Sequence, residues 1–467
     1  MHEGRHRGGV VVVLPLLALL LHGCGAHDAG RAARAGQAVA GNRAARLAAA
    51  DEQLARGSYR LVVTSHPAGA ALRIVTAEGV ARSARTPFAG TLRGGRLTLT
   101  LTAPGRNQLV QPLLLDRDRA VELWLDPAGL LHHQLGVLAT GPNPKQVAYS
   151  PDGRELWVSL LGGHGLQVFD AATLRHLGDV KLGQHGAVEV IFSRDGATVY
   201  ASQMETASVF EIDRRTRTVR RQLLGKGVWS KVMALSPDGR TLYLANWVSN
   251  DVSEIDLVTG KLRRKLPTVA TPRGLYVTPD GRRLFVAGFK DGELQRIDLA
   301  SGASKVLLRT GGAMRHLVGD PRRGLLYADD MAQNRVFVVD LASERVRKLA
   351  DTDHTPNTID LTPDGRVLYV SNRGKNGPCF CRPGPEWGSV LAIDTATGRV
   401  LDAIVGGNQT TGLDVSPDGR TLAFSDFLDD RVHLYAIPPY QVLAAGHGGR
   451  AAAHRKDLAK QNLTKQQ

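Results

Sequence analysis

A single phrase recurs along this chain and limits what it can fold into. Ser-Pro-Asp-Gly at residues 150–153 returns whole or nearly so. Its closing glycine falls at Gly153, Gly196, Gly239, Gly281, Gly324, Gly365 and Gly419, in steps of 43, 43, 42, 43, 41 and 54 residues. A second landmark keeps the same step. An aspartate closes an alternating run at Asp170, Asp213, Asp256, Asp298, Asp340 and Asp394, with Ala436 in the seventh copy. Each copy reads as four short alternating runs; in the third they are VMALS, TLYLAN, VSEIDL and KLRRKL. Alternation with period two is a strand signal, since successive side chains point to opposite faces. Proline in second place and glycine in last make the phrase a tight turn. The aspartates of both landmarks are therefore read as turn formers rather than metal ligands.

A unit of four strands cannot bury both of its faces alone, so such units must pack around a ring. A period near 43 with four strands per unit is that of a propeller blade. The repeat resembles the YVTN type of seven-bladed propeller, related to WD-repeat folds. LYLAN at 242–246 and LYVSN at 368–372 carry the resemblance, which covers roughly 130–443. It implies a seven-bladed β-propeller over 128–445. QLGVLATG at 134–141, just before the first copy, reads as an outer fourth strand that completes the seventh blade and closes the ring.

The chain of 467 residues is longer than this ring needs. Arg5 and Arg7 precede a 12-residue apolar run at 10–21, the length of a signal-peptide core and short for a bilayer span. LHGC at 21–24 resembles the lipobox of bacterial lipoproteins, with an unusual His22. The resemblance implies a signal peptide over 1–23 and lipidation of Cys24. Gly25 stands where inner-membrane retention would place an aspartate, which favours the outer membrane of a bacterial envelope. Residues 24–57 are rich in Ala and Arg and are expected to form a partly helical spacer. From Tyr59 the period changes to that of strands. Over 58–127 the chain resembles the PEGA domain, a small β-sandwich-like module of bacterial surface proteins. Pro67, Ala68, Gly69 and Ala70, with Thr86-Pro87 and Pro104-Gly105, carry the resemblance, Ala68 standing where the family has Glu. The expected fold class is thus all-β: a propeller preceded by a small sandwich-like domain. After it, residues 446–467 are polar and basic and are expected to form a flexible tail.

No catalytic motif stands out: no G-x-S-x-G, no H-E-x-x-H, no P-loop. None of the 15 histidines has metal-ligand spacing, and His132 and His133 would point to opposite faces of a strand. No metal and no cofactor are expected. Cys379 and Cys381 lie in the insert RGKNGPCFCRPGPEWG that lengthens the last step, and a small disulfide is one reading of them.

Equivalent places in the seven copies sharpen the question of function. Where each second strand ends stand Leu160, Gln203, Asn246, Gly288, Asp330, Asn372 and Asp426. Where each innermost strand begins stand Lys145, Val188, Lys231, Arg273, Arg315, Asn357 and Thr411. Both sets are expected at one mouth of the central channel, as a cationic arc beside an amide and carboxylate ring. Asp330 and Asp426 could absorb the cations as ion pairs. Otherwise the mouth is a site for an anionic ligand, framed by Trp229, His185 and the insert with Trp387. The net charge of +15 suits an anionic partner such as a wall polymer. The expected function is that of a monomeric envelope lipoprotein presenting a binding platform to a protein or anionic polymer. A lactonase-like propeller enzyme is one alternative. A single-strand nucleic-acid binder is another, set back by an aromatic content of only 5%.

Overall fold

The computed structural model of the protein describes residues 57–446 and 449–460. The expected signal peptide, Cys24 and the spacer up to residue 56 lie outside the described residues. The described residues divide into two units, one within 57–100 and 112–122, the other within 101–111 and 123–460.

The N-terminal strands make two sheets. One has the order Phe88–Arg93, Ser58–His66, Arg119–Trp124, and the other Ala81–Arg85, Ala71–Thr76, Gly95–Thr102, Leu109–Leu115. Alternation places Leu61, Val63, Leu72 and Ile74 inside, none more than 2% exposed. In the turn after His66, Gly69 takes a left-handed φ of +79° and its N–H donates to the Thr86 carbonyl at 3.0 Å.

The second unit holds seven four-stranded antiparallel sheets, one for each copy of the repeat. The first runs outward as Pro144–Tyr149, Glu155–Leu160, Gly165–Asp170, His176–Lys181. The innermost strands of the others are Val190–Phe192, Ser230–Leu235, Pro272–Val277, Met314–Asp320, Pro356–Leu361 and Thr410–Val415. Each sheet touches the next at its inner strands, and the seventh touches the first, so the series is cyclic. Between the sheets lie apolar clusters such as Trp157, Val168, Val180, Val199 and Ile212. The seventh sheet borrows its outer strand from the start of the unit. His133–Ala139 pairs with Arg431–Ala436, Ala139 opposite Arg431 and His133 opposite Ala436.

The landmark aspartates are turn formers. Ser150 Oγ donates to Asp152 Oδ1 at 2.6 Å, and Asp152 accepts from the Arg154 N–H at 3.2 Å. Asp170 Oδ1 accepts from the Thr173 N–H at 2.7 Å, and Asp256 Oδ1 from the Thr259 N–H at 2.8 Å. His132 is buried between the Asp402 carboxylate, 2.7 Å from its Nδ1, and the Tyr369 hydroxyl, 2.8 Å from its Nε2, while His133 is exposed.

Of the flexible tail expected over 446–467, the described residues 449–460 depart from the expectation. After helix α1 (Tyr440–Ala445) comes helix α2 (Gly449–Leu458). His454 is buried, with Nε2 2.7 Å from Asp353 Oδ2, and Arg455 donates to the other carboxylate oxygen at 3.2 Å. The Leu458 carbonyl accepts from the Trp387 N–H at 2.8 Å, and the Lys460 N–H donates to Pro385 at 3.1 Å. Polarity misled the reading: this helix is held by a buried carboxylate and by the insert, not by an apolar stripe. Within the insert Cys379 and Cys381 are joined by a disulfide.

Candidate functional site

In six of the seven innermost strands the compared position is the second residue, whereas Val188 lies just ahead of Val190–Phe192. Four of these residues are basic: Lys145, Lys231, Arg273 and Arg315. Arg273 and Arg315 are buried at 8% and 5% exposure, and the two lysines are half-buried. Lys145, Arg273 and Arg315 line one cavity with Gln146, Val188, Glu189, Val232, His316 and Thr358. Its free volume is about 20 Å³, little more than one water molecule needs. Among the described residues, no side-chain nitrogen of the four has a hydrogen-bond or ion-pair partner. Lys231 Nζ instead sits 3.7 Å from the centre of the Trp247 ring and 5.8 Å from that of Trp229. Lys145 Nζ lies 5.4 Å from the Phe427 ring centre.

Burial of like charges together sets the electrostatics of the site. Burial, then repulsion from Arg315, Arg373, Arg273 and Lys231, pushes the Lys145 ammonium well below its ordinary range. Burial with Arg273 and Arg315 pushes Lys231 down to about 6. Arg373, at the root of the insert, is lowered to about 10 by burial and by Arg273. His316 is pushed to about 3 by burial and by Arg315, so its ring is neutral.

The acids near these cations are not the expected ones. Asp330 and Asp426 are spent on their own loops. Asp330 Oδ1 accepts N–H bonds from Ala313, Ala332 and Gln333 at 2.8, 3.0 and 2.9 Å. Asp426 accepts from the Thr410 hydroxyl at 2.7 Å and lies 2.8 Å from His433 Nε2. The amides at this position do the same. Gln203 donates to the Leu182 and His185 carbonyls at 3.0 Å each, Asn246 accepts from Ser230 Oγ at 2.5 Å, and Asn372 donates to the Val370 carbonyl at 3.1 Å. The expected polar ring is thus a set of loop braces, and it does not join the cations.

The carboxylates that do face the cations are Glu189 and Asp329, which the reading by equivalent positions passed over. Burial raises both to about 7, against the pull of Arg273 on Glu189 and of Arg315 on Asp329. Glu189 Oε2 accepts from the Met233 N–H at 2.8 Å, and Asp329 Oδ1 from the His316 N–H at 2.5 Å. A signal was available in the sequence for Glu189, a lone acid in the apolar run AVEVIF at 187–192, whereas Asp329 was masked by the neighbouring Asp330 of the same strand. Of the framing residues, Trp229 stands beside Lys231. Trp387 does not join the cluster, since its ring is capped by Lys460 Nζ at 4.4 Å. Among the described residues no group of three or more His, Cys, Asp or Glu side chains could hold a metal ion.

No family model matches the chain. Over 324 residues it is 35% identical to antigen Lp49 of Leptospira interrogans, covering 67% of this chain and 71% of that protein. Among solved structures, the hydrazine synthase of Kuenenia stuttgartiensis superposes with a TM-score of 0.55 at 22% identity, covering 63% of this chain and 96% of that one. At that identity the likeness concerns the fold alone, an all-β, propeller-like arrangement of four-stranded sheets.

Proposed function

Because the chain belongs to the family of the Leptospira antigen Lp49, we propose that it is a bacterial envelope lipoprotein whose seven-bladed β-propeller captures an anionic ligand at one mouth of its channel. The cyclic series of seven sheets closed by His133–Ala139 supports the propeller. The two N-terminal sheets support a PEGA-like domain ahead of it. The antigen relative and LHGC at 21–24 support an envelope protein lipidated at Cys24 and held at the outer membrane. The observation that carries the ligand site is the meeting of Lys145, Arg273 and Arg315 at one cavity, with Lys231 next to its lining residue Val232 and no anionic partner in bonding range of the four among the described residues.

Buried charges are costly unless paired, and like charges in one cavity add repulsion. Such a cluster weakens the ring, and an anion of two or more charges would relieve it. The Lys231→Ala, Arg273→Ala, Arg315→Ala variant is therefore expected to melt at least as high as the wild type. Inorganic phosphate or citrate should raise the melting temperature of the wild type and leave the variant unmoved. At a hundredfold excess over Kd a ligand adds about 2.7 kcal/mol, which is readily seen in a thermal melt. A large fall in the variant's melting temperature, or an equal response of both proteins to the anions, would overturn the ligand site and make the cations structural.

A further inference from the structure

The cavity is too small for more than a charged group, so the remainder of any larger ligand must lie outside it. Beside Lys231 an apolar ledge is exposed. Val228, Trp229 and Val248 are 48%, 48% and 50% exposed, and the Trp247 and Phe289 rings pack at 4.9 Å between centres. The two loops that carry the ledge are tied together, Trp247 N–H to the Trp229 carbonyl at 3.0 Å and Val248 N–H to the Val228 carbonyl at 3.1 Å.

Trp229 is anomalous for a second reason. It immediately precedes an innermost strand and takes a left-handed φ of +58°. The residues in the same place before the first, fourth, sixth and seventh innermost strands are also left-handed, but they are Asn143, Thr271, Thr355 and Gln409. A bulky ring is disfavoured in this region, and strain of this kind concentrates where a site requires it. An exposed aromatic side chain in a strained backbone position is not explained by packing.

We propose that the channel mouth takes an acidic sugar, its carboxylate or phosphate entering the cationic cavity and its ring lying on the Trp229 ledge. This rests on the anion-site reading above. The indole face is electron-rich and attracts positive charge, as the seat of Lys231 over Trp247 shows. The C–H face of a pyranose is weakly positive and flat, and complements it. An aromatic acid would bring a second electron-rich face, and an acidic peptide side chain no flat face at all. Lys231 belongs to both, its Nζ 3.7 Å from the Trp247 ring centre and 5.8 Å from that of Trp229, and its neighbour Val232 lining the cavity.

The test is calorimetric titration of the full-length chain at low salt with glucuronate, glucose 6-phosphate, glucose and inorganic phosphate. Both acidic sugars are expected to bind at least about tenfold tighter than phosphate, and glucose not measurably. Trp229→Asn, which places there the residue that the first sheet carries, should bring the acidic sugars down to the affinity of phosphate and leave phosphate itself unchanged. Whichever acidic sugar binds tighter names the anion. Acidic sugars that bind no tighter than phosphate, or that ignore Trp229→Asn, would overturn the ledge while leaving the anion site standing. If phosphate does not bind at all, the anion site falls and the ledge with it.

Discussion

Lys231 is where charge and solvation meet most sharply, and its titration can be followed through the stability of the fold. Its pKa of about 6 in the folded protein lies below the ordinary value of about 10.4 expected of the unfolded chain. Between those values the unfolded chain binds the proton more tightly, so Lys231 increasingly weakens the fold as pH falls from about 10 to about 6, and by a constant amount below that. Alanine removes the effect. The melting temperature of Lys231→Ala relative to wild type should therefore climb as pH is lowered through this window, then level off. Arg273 and Arg315 press on Lys231 in this sense, and Glu205 acts weakly in the opposite one. Glu189 supplies a control of opposite sign. Raised to about 7, it contributes stability at low pH that is lost as pH rises from about 4 through 7. Glu189→Gln should thus gain on the wild type with rising pH. A Lys231→Ala difference that stays flat from pH 10 to pH 6 would mean that Lys231 keeps its proton in the folded state, with an anion or solvent supplying what the surrounding side chains do not.

Among the elements, the innermost strands are joined by more than apolar packing. Glu189 reaches Met233 N–H on the next strand at 2.8 Å, Asp360 reaches Val415 N–H at 2.8 Å, and Asp414 reaches Tyr149 N–H at 2.6 Å. The last of these crosses from the seventh sheet to the first, so the closure of the ring is made at the centre as well as at the rim. At the rim it depends on His133–Ala139. Leu138, 6% exposed, packs in a cluster with Val147, Val158, Phe169, Val432 and Leu434, whereas Leu135 on the same strand is 39% exposed. Leu138→Ala should cost roughly 2–5 kcal/mol, and Leu135→Ala about 0.5 kcal/mol or less, in chemical denaturation of the full-length chain. Deleting residues 134–141 goes further. It bares the Arg431–Ala436 edge, and the shortened protein should aggregate or lose its cooperative transition. Equal costs for the two alanines, or a deletion that melts like the parent, would show that the ring closes without this strand.

At the scale of the molecule, what was legible in the sequence followed from repetition. The 43-residue step, the turn at each Gly of the phrase and the strand at 134–141 are local patterns copied many times, and each copy corrects the next. The cationic level was legible for the same reason, since Lys145, Lys231, Arg273 and Arg315 share one place in their copies. What misled was the surroundings. Counting positions put Asp330 and Asp426 near the mouth, but it could not show the Ala313 N–H and Thr410 hydroxyl already waiting for them. Helix α2 escaped because its anchor, Asp353, lies about a hundred residues earlier in the chain. The N-terminal reading rests on resemblance alone, and it carries a consequence for the whole protein. If Cys24 is the lipidated first residue of the mature chain, the propeller is tethered, and its ligand is met at a membrane surface. The chain's net charge of +15 complicates the test, because a basic protein also clings to anionic lipid without an anchor. Salt separates the two modes: at 1 M the Debye length falls to about 3 Å, which releases an electrostatic contact and leaves an acyl chain in place. Cys24→Ser should therefore appear in the soluble fraction after a high-salt wash, while the wild type stays with the membrane. A Cys24→Ser protein that remains membrane-bound in high salt would show that this cysteine is not the anchor.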